Sequence, residues 1–131
     1  MADNIDHLLT DYFTGKLDVD IKMRKLELSY HSNDDENIGG GRMQNNVVRG
    51  AEITMQKLDD DYMLMRLTYI KEVIGMMFDT QTETVQKIIQ ERYGRKKSWL
   101  AVSMIVHIDE RSARERRDEF KALIKSPLEA V

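Results

Sequence analysis

Apolar residues along this chain recur mostly at helical spacing. In the first thirty residues Ile5, Tyr12, Val19 and Leu26 repeat every seven positions, and Leu9, Met23 and Tyr30 lie on the same stripe. The pattern predicts a helix over residues 4–30, with Asp3 or Asn4 able to cap its start. Gly15 falls inside it and costs about 1 kcal/mol against alanine, so a kink or break is expected there. Leu17, Val19, Ile21 and Met23 also alternate with polar residues, which leaves a strand as the alternative for that stretch.

Residues 31–46, HSNDDENIGGGRMQNN, interrupt the periodicity with three consecutive glycines and a cluster of Asn and Asp. A Gly-rich loop over 32–46 is expected. Its glycines lack the Lys and Ser/Thr that follow at P-loop spacing, so they predict no nucleotide site. A second long helix is expected over 47–77. Val48, Ala51, Met55, Leu58, Tyr62, Met65 and Tyr69 step by three and four, and Val73 and Met76 extend the seam. Met63, Leu64, Leu67, Ile70 and Met77 lie off that seam, which implies a second partner surface. Two long helices joined by a loop predict an antiparallel hairpin. Its apolar face invites pairing with a second copy through Val48, Met55, Leu58, Tyr62, Met65 and Tyr69.

Residues 78–81 break the pattern. Thr80 and Glu83 then match a capping box, which starts a helix running through Val85, Ile88, Ile89 and Arg92 to Tyr93. Gly94 is expected to end it in a left-handed conformation. A basic loop of Arg95, Lys96 and Lys97 leads to Ser98, an N-cap for a short helix over 99–106. Trp99, Val102 and Val106 should face the core. His107 and Ile108 form a turn, and Asp109 caps a last helix over 110–124, with Ala113, Phe120 and Ile124 inward and Pro127 marking its end. The division is therefore 1–78 as a helical hairpin for oligomerisation and 79–131 as a three-helix helix-turn-helix domain. The fold class is all-α.

Charge sharpens this picture. The chain carries a net −3, but from Lys87 to Val131 there are 11 Lys/Arg and 7 Asp/Glu, or +4, leaving −7 for the first 86 residues. A basic end on an acidic body points to a polyanionic partner at one end. The spacing of a helix-turn-helix places the N-terminal part of its second helix in the DNA major groove. Arg111, Ser112, Arg114 and Glu115 are then the candidate base readers. Arg95, Lys96, Lys97, Ser98, Arg117 and Lys121 are placed for phosphates and the backbone. The pairs Glu110–Arg114 and Arg114–Asp118 offset part of this charge, at about 0.2–0.5 kcal/mol each.

Other chemistry finds little footing. With no Cys there is neither a disulfide nor a thiolate site. His7, His31 and His107 have no metal-ligand spacing, and no base is paired with a nucleophile, so neither an enzyme nor a cofactor is expected. Asp59, Asp60 and Asp61 are consecutive and point in different directions, which reads as a solvated acidic face; Asp34, Asp35 and Glu36 lack calcium-loop spacing. No apolar run reaches the roughly 20 residues of a membrane span, and the start MADNIDHLL lacks the basic opening of a signal peptide. The expected location is the cytoplasm.

The stretch KKSWLAVSMIVHIDERSARERRDEF resembles the C-terminal module of small phage regulators of late transcription, of the RinA and ArpU type, a module similar to sigma factor region 4. The resemblance rests on a Tyr-Gly before the basic loop, a Trp opening the first helix, the Ile108–Ser112 turn and the Arg-Asp-Glu-Phe ending. His107 stands where such modules carry glycine, Asp109 where they carry serine, and Arg116 where an apolar residue is common. The resemblance implies an activator of phage late genes in a bacterial host cell that binds promoter double-stranded DNA, with the sigma region 4 likeness allowing a contact with host RNA polymerase; the hairpin would make it a homodimer. Two alternatives stay open: a small terminase subunit recognising packaging-site DNA, and a helical interaction protein that binds no DNA.

Overall fold

The computed structural model describes residues 3–37, 58 and 60–130, and every element in them is helical. The fold class is all-α. The elements are α1 (Asn4–Thr14), α2 (Lys16–Asn37), α3 (Tyr62–Asp79), α4 (Glu83–Ile89), a π-helical turn (Gln90–Gly94), α5 (Trp99–Val106) and α6 (Glu110–Glu129). None is long and apolar enough to cross a membrane, and no group of three or more His, Asp or Glu among the described residues can hold a metal ion.

The helix expected over 4–30 is two helices. Asp3 caps α1 by accepting the Asp6 amide, and the Asp6 carboxylate accepts the Asp3 amide in return. Gly15 ends α1 at φ +87°, a left-handed conformation only glycine adopts at little cost. The strand alternative for 17–23 is not formed. α2 continues to Asn37, six residues into the segment expected as a loop; the glycines at 39–41 and the rest of that loop lie outside the described residues.

The second long helix is also interrupted. Leu58 and Asp60 are helical, Asp61 is not, and its carboxylate accepts the Leu64 amide at 2.8 Å to start α3. Asp61 is therefore a cap rather than part of a solvated acidic face. It also takes two hydrogen bonds from the Arg24 guanidinium, at 2.7 and 2.9 Å. That pairing holds the Asp61 carboxyl down at about 2.

Three further boundaries move. The capping box at Thr80 does not form, because the Thr80 hydroxyl donates back to the Met77 carbonyl in the turn that closes α3. Thr82 caps α4 instead, accepting the Val85 amide. Gly94 is not left-handed; the helix widens into the π turn, and the positive φ falls on Lys96, at +56°. Pro127 does not end α6, which runs on to Glu129. Its missing amide leaves the Leu123 carbonyl without a helical donor, but Leu128 is buried and the Tyr69 hydroxyl donates to the Pro127 carbonyl. Ser98 and Asp109 cap α5 and α6 as the residue types predict.

The chain forms two compact units, Met1–Leu17 with Tyr69–Val131, and Asp18–Thr68. The first differs from the expected division near residue 79, since α1 belongs with the C-terminal helices. Its core joins Ile5 and Leu9 of α1, Ile70 and Ile74 of α3, Ile88 and Ile89 of α4, and Phe120 and Ile124 of α6, all buried. Val102 and Ala113 seat α5 and α6 on Ile88, with Trp99, Val106 and Ile108 half-buried around them. Phe13 meets Phe78 at 5.1 Å between ring centroids, and Gly75 leaves room for the Tyr12 hydroxyl, which would lie 3.0 Å from an added Cβ. In the second unit Ile21 and Leu64 are buried, and Arg24 and Asp61 supply the ion pair.

Candidate functional site

α1 presents its first turn to α6. Lys121 reaches Asp3 at 2.9 Å and Asp6 at 3.1 Å, and the Tyr93 hydroxyl donates to Asp6. Arg117 donates to the Tyr93 oxygen at 3.2 Å and to Asp118 at 2.7 Å. Burial raises the Asp6 carboxyl, but the Tyr93 hydroxyl, the Asp3 amide and Lys121 outweigh it and hold the group below the usual carboxylate range. The Asp6 amide, with help from Lys121, lowers Asp3 to about 2. Burial and the Asp6 carboxylate push the Tyr93 phenol well above its ordinary value.

The loop after the π turn is pinned from below. Glu91 is buried, and its carboxylate lies 3.4 Å from Arg95 and 3.5 Å from Lys97. The Lys97 amide donates to the Glu91 carbonyl, and the Arg92 guanidinium donates to the Lys97 carbonyl. Lys96 stands at the apex, exposed, in its left-handed conformation. Such a backbone costs about 1 kcal/mol or more in a residue with a side chain and persists only where the surroundings fix it.

Beyond Lys96 the chain turns at Ser98 into Trp99. The guanidinium carbons of Arg92 and Arg117 each lie 4.8 Å from the Trp99 ring centroid, and that of Arg114 lies 5.8 Å away. Arg92, Arg117 and Trp99 edge an open pocket of roughly 450 Å³, whose other walls include His7 and Thr10 of α1 and Lys121 of α6. Four cations and one carboxylate, Asp6, line it.

The expected site residues separate into two groups. Arg111 is 88% exposed and Arg114 50%, both on the outer side of α6 near its start. Arg111 pairs with Glu115 and Arg114 with Glu110, each an i,i+4 surface pair, while Asp118 pairs with Arg117 rather than Arg114. Ser112 lends its amide to the Asp109 cap. Arg95, Lys96, Lys97 and Ser98 gather before α5. Arg117 and Lys121 are turned inward, at 18% and 17% exposure, and serve Tyr93, Asp6 and Asp3 instead of solvent. Sequence reasoning missed Asp3, Asp6 and Tyr93 because their partners lie far along the chain. Glu91 was within reach, since its spacing to Arg95 is i,i+4.

Of the residues expected to pair two copies, Val48 and Met55 lie outside the described residues. Leu58 is half-buried; Tyr62, Met65 and Tyr69 are exposed along α3, as is Met76. Val19, Met23, Leu26 and Tyr30 are exposed along α2, each by half or more.

No curated protein and no solved structure matches the chain. A family model does: that of the protein of unknown function DUF722, over residues 1–126. With nearly the whole chain matched, from α1 through the buried face of α6, the protein belongs to the DUF722 family.

Proposed function

We propose that the protein is a sequence-specific DNA-binding transcriptional regulator, an activator of phage late genes acting in the cytoplasm of a bacterial host. One observation carries the reading. An eight-residue helix, a left-handed residue at His107 and an Asp109-capped second helix follow one another, with Arg111 and Arg114 exposed at the start of the second. A helix-turn-helix needs this order: the second helix enters the major groove and its first residues meet base edges. His107 takes the left-handed conformation in the position where the resembled modules carry glycine. Arg111, Ser112, Arg114 and Glu115 are the base readers, and Arg95, Lys96, Lys97 and Ser98 approach phosphates. No catalytic step, metal or cofactor enters this reading.

Dimerisation rests on the outward stripes. Tyr62, Met65, Tyr69 and Met76 follow one seam of α3, and large apolar side chains in such a row favour a second copy. A dimer sets the spacing of two recognition helices on a palindromic site. Contact with host RNA polymerase follows from the resemblance to sigma region 4 alone.

The test is retention of sheared phage and host DNA by the full chain at two salt concentrations, beside an Arg111→Glu/Arg114→Glu variant. A salt-sensitive peak upstream of a late operon, lost in the variant, is expected. A peak at a packaging locus would replace the regulator by a small terminase subunit. No enrichment would leave a helical interaction protein.

A further inference from the structure

We infer that the pocket between α1, the loop at Lys96 and α6 is a seat for a phosphate group, with Lys96 and Arg92 as its donors and Trp99 as its wall. Charge is the first argument. Arg92, Lys96, Arg117 and Lys121 line the pocket against the single carboxylate of Asp6. Asp6 is satisfied by the Tyr93 hydroxyl, Lys121 and the Asp3 amide, and Arg117 donates to Tyr93 and Asp118, so the inner two cations are engaged. The outer two are not. Arg92 gives one N–H to the Lys97 carbonyl, and Lys96 has no partner among the described residues.

Preorganisation is the second argument. Glu91 holds Arg95 and Lys97 on either side of Lys96, and the loop backbone is tied to the π turn, so the Lys96 backbone is fixed at the pocket's edge and only its side chain is left to order on binding. A fork of guanidinium N–H groups beside a point-charge ammonium suits the oxygens of a phosphate. The pocket also adjoins the start of α5. In a helix-turn-helix the first helix crosses the nucleic-acid backbone there, and Arg114 continues the cationic strip past Trp99 toward the start of α6.

The phosphate has two sources, a DNA backbone diester or a free phosphorylated molecule. The first rests on the DNA-binding reading; the seat itself does not. Trp99 is the only tryptophan in the chain and reports on the pocket directly. The full chain is titrated with sodium phosphate at constant ionic strength, set with chloride, while Trp99 emission is followed. Lys96→Gln is run beside it, with Lys125→Gln as a one-charge control outside the pocket. A saturable change is expected, with affinity about tenfold weaker in Lys96→Gln and unaltered in the control. No saturable change, or equal affinity in all three proteins, overturns the seat. Duplex DNA retained by the full chain is then bound over a salt series. Loss of about one unit from the salt slope in Lys96→Gln alone assigns the seat to the backbone. An unchanged slope with phosphate still binding assigns it to a free phosphorylated ligand. DNA binding without any phosphate response, and with an unchanged slope, sinks the seat and leaves the regulator standing. Phosphate binding without DNA binding does the reverse.

Discussion

The hydroxyl of Tyr93 donates to the carboxylate of Asp6, 87 positions earlier in the chain, and both groups are buried. Removing the hydroxyl leaves a buried carboxylate short of a donor, which costs about 1–3 kcal/mol. Tyr93→Phe is expected to lower the urea midpoint accordingly with an unchanged slope. A midpoint equal to wild type would mean that Lys121 and the Asp3 amide suffice for Asp6.

Acid should weaken the fold through the same carboxylates. Asp3 and Asp61 are held at about 2, and Asp6 is also lowered. Folded values below the unfolded ones mean stability is full above the unfolded carboxylate range near pH 4 and is lost as pH falls toward 2. Urea midpoints taken from pH 6 downward should drop in that window. Arg24→Gln removes the partner that most lowers Asp61 and should flatten part of the fall.

Two left-handed residues predict opposite outcomes. Gly15→Ala places a Cβ at φ +87° and should destabilise by about 1 kcal/mol, although open space surrounds the position. His107→Gly removes a Cβ at φ +61° and should be stabilising by a few tenths of a kcal/mol, because relief of strain of about 1–2 kcal/mol exceeds the added chain entropy. Thermal melts of both variants check the pair, and a His107→Gly protein that melts earlier would refute the strain at the turn.

The arginines and lysines of α6 should divide by function. Arg111→Ala and Arg114→Ala are expected to weaken binding to the selected DNA by about 1–3 kcal/mol and relax its specificity, with melting unchanged. Lys121→Ala strips Asp3 and Asp6 of a shared partner and should lower stability by about 1–3 kcal/mol, with the salt slope of DNA binding intact. The reverse assignment in melts and binding curves would exchange the two faces of the helix.

Met65→Glu should convert a dimer into a monomer while leaving the helical content in place, since Met65 is exposed along α3. Sedimentation equilibrium over a hundredfold concentration range reads this directly. A wild-type chain that stays monomeric throughout removes the dimer from the proposed function.

Local cap signals at Ser98, Asp109 and Gly15 carried into the structure, those at Thr80, Gly94 and Pro127 did not, and the long-range pairings were not legible. Ser98, Asp109 and Gly15 act through backbone groups within a few residues, so residue type alone revealed them. Periodicity located the helices and, at Val102, Ala113, Phe120 and Ile124, the buried sides of α5 and α6, but not those of α2 and α3. On α3 the seam through Met65, Tyr69 and Met76 is exposed although Val73 on it is buried, and the off-seam Leu64, Ile70 and Ile74 are buried. On α2 the heptad through Val19 and Leu26 is exposed, and Leu17 and Ile21 are buried. A repeat of apolar residues states that a face wants cover, not which neighbour supplies it. The π turn adds one residue to a helical circuit without any change in composition, and the partners of Asp6 come from the far end of the chain.

The unit that holds the C-terminal helices is closed by α1, from far earlier in the chain. Asp3 and Lys121 are separated by 118 positions, and Ile5 and Leu9 are part of its interior. Contacts of such span carry the loop-closure entropy that slows folding. The nascent α1 must therefore wait for the π turn to cover its apolar face, and for α6 to supply Lys121. A fragment begun at residue 79 would lack that helix and the Ile70–Ile74 segment of α3, and so would start life without a wall of its own core.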